Sequence, residues 1–276
     1  MPDIPASSSM VQKTALDVGK RLLQVAFLAL ALLLSAAALW PAAVVYFKLS
    51  SWATTPLRWV GLVFLCIIVF NYAYLILLLG VRIIVPKPAE GFYPQREDGR
   101  PPREVGVLML NILLTRLRHN PPWAAMISSV LVTIPPLDPI FRHFFGPHTR
   151  SLTFGDSYIA LDPYLLYAGK NVQFGFRAFI SCHIFDNRGM LIKRVVVEDH
   201  ALIGGFACLL PGVRVGHHSV VAFGSIVKPN TVIGPYELWA GNPARKIRDL
   251  PMPEGERLPE ATGGEETESG AGQGTE

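Results

Sequence analysis

Cysteine is scarce in this chain: three residues in 276, at Cys66, Cys182 and Cys208. An odd, scattered set makes no disulfide framework and has no metal-ligand spacing, so reduced thiols are expected. Charge is also scarce, at 17% of residues, and over two stretches it is missing. Leu22 to Phe47 runs 26 residues without a charged side chain, and Trp59 to Gly80 runs 22. Each exceeds the roughly 20 apolar residues that span a bilayer. Two buried soluble helices are one alternative. A signal sequence is another for the first run, since Lys20 and Arg21 precede it and small residues from Ser35 lie within it. That run is longer than the usual apolar core of a signal, and a second run follows. The expectation is therefore a retained transmembrane helical hairpin over 20–85, with Pro41 kinking its first helix without abolishing it. Lys13, Lys20 and Arg21 precede the first run, and Arg82, Lys87, Arg96, Arg100 and Arg103 follow the second. The connecting loop holds only Lys48 and Arg58. This bias predicts a multi-pass membrane protein with both termini in the cytosol.

Nucleic-acid motifs and arrays of base-stacking aromatics are lacking, which argues against a nucleic-acid partner. The net charge of +4 is unevenly spread: Pro251 to Glu276 carries seven Glu and one Arg, which leaves the rest of the chain at +10. A basic body beside a bilayer suits lipid headgroups or anionic small molecules. The acidic tail at 251–276, without an apolar pattern, reads as disordered, and residues 1–19 as a mobile N-terminus. Between hairpin and tail, residues 86–149 read as a linker followed by amphipathic or interfacial helices. A helix is expected over Glu104–His119. Trp123–Ile134 is too short to span and suits a re-entrant, surface-lying or packed soluble helix. A short helical piece is expected near Phe141–Phe145.

What the sequence has in abundance is a six-residue beat. Aliphatic residues fall at Val197, Ile203, Leu209, Val215, Val221, Val227 and Ile233. Four places after each of the first six stand Ala201, Ala207, Val213, Ser219, Ser225 and Thr231, all small or β-branched. No ordinary helix or sheet has this period. It suits a three-sided coil in which each hexad makes one short strand and one corner, and the aliphatic side chains stack inward. Upstream, Ala168, Phe174 and Ile180 keep the beat in another phase, and Ile180 lies 17 residues before Val197, one short of three hexads. The slip marks Ser181–Leu191 as a loop pushed out of the coil, and loops on rigid scaffolds favour chemistry. The coil is expected over 150–250, closed by a short helix at Pro243–Leu250.

Three stretches carry a resemblance. They are Ile203-Gly-Gly-Phe-Ala-Cys-Leu-Leu-Pro-Gly-Val-Arg-Val-Gly, Val221-Ala-Phe-Gly-Ser-Ile-Val-Lys and Ala240-Gly-Asn-Pro-Ala-Arg-Lys-Ile-Arg. Together they resemble the hexapeptide-repeat acyltransferases, in particular galactoside and maltose O-acetyltransferases and their membrane-associated cousins. Cys182-His-Ile-Phe-Asp-Asn-Arg resembles a loop in the acyltransferase-like C-terminal regions of polylysine-type synthetases. The resemblance implies a left-handed parallel β-helix, a homotrimer with sites between neighbouring coils, and acyl-CoA (acetyl-CoA) as co-substrate. It implies His183 as general base toward a hydroxyl or amine acceptor; imidazole suits that role because its pKa lies near working pH. With the hairpin, the acceptor would be a sugar, lipid-linked or amine compound near the membrane. Asp186 is either a partner orienting His183 or the acceptor, or a solvated loop acid.

The family's CoA contacts carry over to Gly205, Phe223, Lys228, Arg245 and Arg248. Where the family reads Gly-Ala-Gly-Ser this chain has Ala222-Phe-Gly-Ser, and a phenylalanine there crowds a thin pantetheine arm. A scaffold without catalysis is thus the alternative reading. Zinc is not expected: the positions matching the histidine ligands of the carbonic anhydrase branch hold Gly205 and Leu210, which cannot ligate it.

Overall fold

The computed structural model describes residues 6–96, 101–117, 137–149 and 158–252. The two charge-free stretches lie in α1 (Ala6–Leu49) and α2 (Pro56–Ile84), joined through a single 3-10 turn at Ser50–Trp52. Thr55 caps α2 by accepting a hydrogen bond from the Arg58 backbone N–H, and Pro56 occupies the first turn, where a missing N–H costs nothing. Ala31, Leu34, Ala38 and Ala42 of α1 are buried in one cluster with Phe70, Tyr74, Leu75 and Leu78 of α2. Helix α1 continues through Pro41 and back to Ala6. The expected mobile N-terminus is therefore helical from that residue on, since extending an existing helix is cheap once it is nucleated.

Helix α3 (Arg103–Leu117) replaces the expected Glu104–His119, and α4 (Leu137–Phe145) contains the expected short piece. Both join the hairpin to the coil. Leu114 and Leu117 of α3 and Phe141 and Phe145 of α4 belong to the hairpin's core, whereas Leu108 of α3 packs into the coil's. The apolar stretch 123–134, most of the acidic tail and the first five residues lie outside the described residues. The segment read as a linker contains a short strand, β1 (Gly91–Pro94).

The coil is a three-walled parallel β-helix. Its first wall stacks β2 (His148–Thr149), β4 (Leu166–Ala168), β9 (Val195–Val197), β12 (Arg214–Val215) and β15 (Val232–Ile233). The second stacks β5 (Gln173–Phe174), β10 (Leu202–Ile203), β13 (Val220–Val221), β16 (Glu237–Gly241) and β17 (Ala244–Asp249). The third stacks β3 (Ile159–Ala160), β6 (Phe179–Ile180), β11 (Cys208–Leu209) and β14 (Ile226–Val227). Every aliphatic residue of the beat is buried, and the register stacks them: Phe174 on Ile203 on Val221, and Ile180 on Leu209 on Val227. Continuous columns of this kind give a core that no single coil has alone.

The small residues follow the corners. Just before several of them stands a residue in the left-handed region, including His200, Phe206, His218 and Asn230. That conformation costs a non-glycine residue about 1–2 kcal/mol, which the stacked coils offset. At Gly204 the need for glycine is one of space: a Cβ there would lie 2.5 Å from the Phe223 backbone nitrogen on the next coil.

Two departures from the beat shape the molecule. The slipped segment leaves the coil as an antiparallel hairpin, β7 (His183–Asp186) and β8 (Gly189–Ile192), and β1 pairs with β8 to make a small sheet of three strands. At the other end, the expected closing helix at Pro243–Leu250 is instead β17, antiparallel to β16. The open edge of the last coil offers unpaired backbone groups, and pairing satisfies them better than a short isolated helix could. Lys246 reinforces the pairing by reaching Glu237, which also accepts from Trp239 Nε1 and the Gly234 backbone.

Candidate active site

The edge between the third and first walls carries the candidate residue His183. On successive coils it is formed by residues 161–165, 181–194, 210–213 and 228–231. His183 stands where the β7–β8 hairpin leaves this edge, and Asp162 lies on the coil beneath. His183 Nδ1 is 2.6 Å from Asp162 Oδ2. With a carboxylate accepting, the ring proton belongs on Nδ1 and the Nε2 lone pair is left free. The Asp162 side chain is wholly buried, while that of His183 keeps 11% of its surface exposed. The carboxylate is fully engaged: Oδ2 also accepts from the Cys182 backbone N–H at 3.1 Å, and Oδ1 accepts from the Tyr164 hydroxyl at 3.0 Å. A buried, multiply bonded acid is a fixed anchor for an imidazole. The Tyr164 hydroxyl is held well above its ordinary pKa, first by burial and then by the Asp162 charge, so it acts as a donor throughout the working range. Burial, with Asp162 next, likewise pushes the Cys182 thiol up and keeps it un-ionised.

The sequence reading missed Asp162. The register pairs Ala160 with Ile180, an interval of 20 residues, two more than three hexads, so the beat could not place this acid beneath His183. Asp186 goes elsewhere. It is exposed in the hairpin turn, where it accepts from the Arg188 side chain and backbone and from the Gly189 N–H. Those bonds, the Arg188 side chain first, hold its carboxyl below the usual range. The hairpin is clamped from outside, since Glu90 pairs with Arg194 just ahead of β1.

The residues expected to meet CoA fall in three places. Lys228 lies on the same edge as His183, two coils on. Gly205 and Phe223 occupy the edge between the second and third walls, where a Cβ on Gly205 would come within 3.3 Å of the Phe223 ring. That ring is 73% exposed and packs edge-on against Phe206, which in turn packs on Phe176. Arg245 and Arg248 are exposed on β17, at the end of the coil remote from the helices. Between the two edges runs the outer face of the third wall, with Ile159, Phe179, Cys208 and Ile226 pointing away from the core. His183 and Lys228 thus border one side of an apolar face, and Gly205 and Phe223 border the other.

Among the described residues no three His, Cys, Asp or Glu side chains gather into a metal-holding group. His200, His218 and Tyr236 instead stack as a column along the remaining edge.

No family model matches the chain. A segment is 50% identical over 60 residues to gamma carbonic anhydrase 2, mitochondrial, of Arabidopsis thaliana, covering 22% of each chain. Another match, 39% identical over 80 residues, is to a 2,3,4,5-tetrahydropyridine-2,6-dicarboxylate N-acetyltransferase of Staphylococcus aureus, covering 29% of this chain and 31% of that protein. The chain spans less than a third of the length of these curated relatives. Among solved structures, a hexapeptide-repeat acetyltransferase of Vibrio cholerae O1 biovar eltor, complexed with acetyl coenzyme A, is 22% identical with a TM-score of 0.38, over 54% of this chain and 90% of that one.

Proposed function

We propose that this protein is a membrane-anchored acyltransferase that moves an acyl group, most simply acetyl, from acyl-CoA to a hydroxyl or amine acceptor. The observation that carries the reading is the His183–Asp162 pair, set at the root of a hairpin that rises from a rigid coil. In the proposed reaction, His183 Nε2 takes the proton from the acceptor O–H or N–H. The freed electron pair attacks the thioester carbonyl. The tetrahedral intermediate collapses, breaking the C–S bond, and the departing CoA thiolate takes the proton back from His183. Asp162 holds the ring and stabilises the imidazolium formed between the two proton transfers. A zinc hydratase reading, which the likeness to a carbonic anhydrase invites, does not fit: Gly205 and Leu210 offer no imidazole where ligands would be needed.

The coil is read as left-handed and the assembly as a homotrimer, with the outer face of the third wall buried against a second copy and His183 in the groove so formed. The hairpin is read as the membrane anchor, with the coil in the cytosol. In support, Gln24–Trp52 and Pro56–Ile84, 29 residues each, are long and apolar enough to cross a membrane, and of the apolar 18-residue stretch within each only 22% and 33% is buried within the chain. Trp40, Phe47, Leu57 and Ile84 are among the large side chains left outward. An acceptor held at or near the bilayer, a lipid-linked sugar or amine, follows from that placement.

His183→Ala tests the reading. The expected outcome is loss of acetyl-CoA turnover with an unchanged unfolding midpoint; unchanged turnover would remove the catalytic assignment. One observation favours a second reading, a scaffold without catalysis: the Phe223 ring lies against Gly205, where a pantetheine arm was expected. Calorimetric titration with CoA separates the two, since a scaffold gives no binding heat.

A further inference from the structure

Among the contacts between the helical hairpin and the coil is a buried cation. Arg82, in the last turn of α2, is 3% exposed. Its Nε donates to the Phe144 carbonyl at 3.0 Å and its Nη1 to the Val85 carbonyl at 2.9 Å. Its Nη2 has no hydrogen-bond partner among the described residues. Asn111 of α3, 1% exposed, has the complementary gap. Its amide nitrogen donates to the Pro86 and Val107 carbonyls, and its Oδ1 is left without a partner. The two side chains therefore hold consecutive carbonyls, Val85 and Pro86, and each has one buried polar atom to spare. Such atoms are rare in folded proteins and cost about 1–3 kcal/mol each, more on a charged group.

The surroundings are of one sign. Lys87 follows directly on this stretch, and among the described residues neither it nor Arg82 pairs with a carboxylate. Glu90, close by in sequence, is taken by Arg194. His148 Nε2 donates to the Tyr164 carbonyl at 3.1 Å, and the Arg82 guanidinium lies 5.7 Å from the centre of the Tyr164 ring. Burial lowers the pKa of Lys87 and of His148, and neighbouring cations add to it: Arg82 acts on Lys87, and Lys87 and His143 act on His148. A buried guanidinium with an unused N–H, next to an ammonium that no carboxylate among the described residues pairs, describes a place for an anion.

We propose that Arg82 and Lys87, with His148 beside them, form a binding site for a phosphate group at the junction of hairpin and coil. The guanidinium supplies a directed N–H and the ammonium a mobile charge, the usual division of labour on phosphate. Tyr164 ties this site to the catalytic pair. Its ring faces Arg82, its carbonyl receives His148, and its hydroxyl donates to Asp162, which holds His183. The site also stands at the end of α2, the level at which a bilayer would present its phosphates if the hairpin spans it. On the acyltransferase reading, on which this meaning rests, the phosphate belongs to the acceptor and fixes its hydroxyl or amine toward His183.

The test uses the full chain in nanodiscs of phosphatidylcholine, with inorganic phosphate titrated in solution or with phosphatidic acid added to the disc, and reads the thermal unfolding midpoint. A ligand that binds only the folded state raises that midpoint. The expected result is a rise that Arg82→Gln abolishes and that Lys87→Gln, at an exposed position, weakens by about tenfold in phosphate concentration. The Lys87 variant keeps the test open if Arg82→Gln fails to fold. A response to phosphate in solution identifies a soluble phosphoryl group, and one confined to phosphatidic acid identifies a lipid headgroup. No rise with either probe, or a rise that both variants retain, overturns the site. Running acetyl-CoA turnover on the same wild-type samples separates this proposal from the enzyme reading. Turnover without a phosphate response removes the site alone, and a phosphate response without turnover removes the enzyme alone.

Discussion

Asp162 accepts three hydrogen bonds within a wholly buried pocket, and only one of them comes from His183. The other two fix the carboxylate, so the ring is aimed by the coil beneath it as well as by the hairpin that carries it. Asp162 is therefore a positioning residue, acting through His183. Asparagine at this position keeps the shape but loses the charge and presents an amide that can favour the wrong ring tautomer. Asp162→Asn is expected to lower kcat by about a hundredfold or more and to leave KM for acetyl-CoA nearly unchanged, since the donor's expected contacts lie elsewhere. Loss through KM instead would show that the mutation disturbs the fold of the groove. Asp186 makes a useful contrast. It sits three residues from His183 in sequence, yet its geometry is spent on the turn with Arg188, so sequence proximity proved a poorer guide than stacking across coils.

The elements obey the six-residue beat wherever it is unbroken. Val197 to Ile233 was legible because each hexad repeats the same physical task, one inward aliphatic residue and one tight corner, and nothing but local spacing is needed to see it. Leu209 shows the cost of breaking it. It is fully buried between Ile180 and Val227 in a column of the third wall. Leu209→Ala is expected to cost about 2–5 kcal/mol through lost burial and an unfilled cavity, read as a lowered unfolding midpoint in detergent. A cost near zero would mean that the columns are not packed as described. The elements that escaped the sequence are those set by distant partners. Strand β1 forms because β8 offers an edge some hundred residues later in the chain, and β17 because the last coil leaves β16 open. Neither segment has an alternating pattern strong enough to announce itself. Conversely, the two charge-free helices were plain from composition alone, and only the backward extension of α1 toward Ala6 was not.

At the scale of the molecule, the three walls differ in what they present to the outside. The outward positions of the first wall mix Tyr167, Val196 and Val232 with the charged Arg214, and those of the second mix Leu202, Val220 and Leu238 with the polar Gln173. Those of the third are Ile159, Phe179, Cys208 and Ile226, with no charge among them. The third wall is the one whose outward strand positions carry no charged or amide side chain, which makes it the surface to be covered, and in the proposed trimer a second copy covers it. Such an interface would also complete the site, because His183 and Lys228 border this wall on one side and Gly205 and Phe223 on the other. Ile226 has its side chain on the outer face while its neighbour Val227 fills the core. Ile226→Glu therefore places a charge in the contact without touching the packed columns. Light scattering of the detergent-solubilised protein is expected to show a trimer for the wild type and a monomer for this variant, with the unfolding of the coil otherwise preserved and turnover lost with the shared groove. A variant that remains trimeric would move the interface to another wall, and with it the groove into which His183 is proposed to reach.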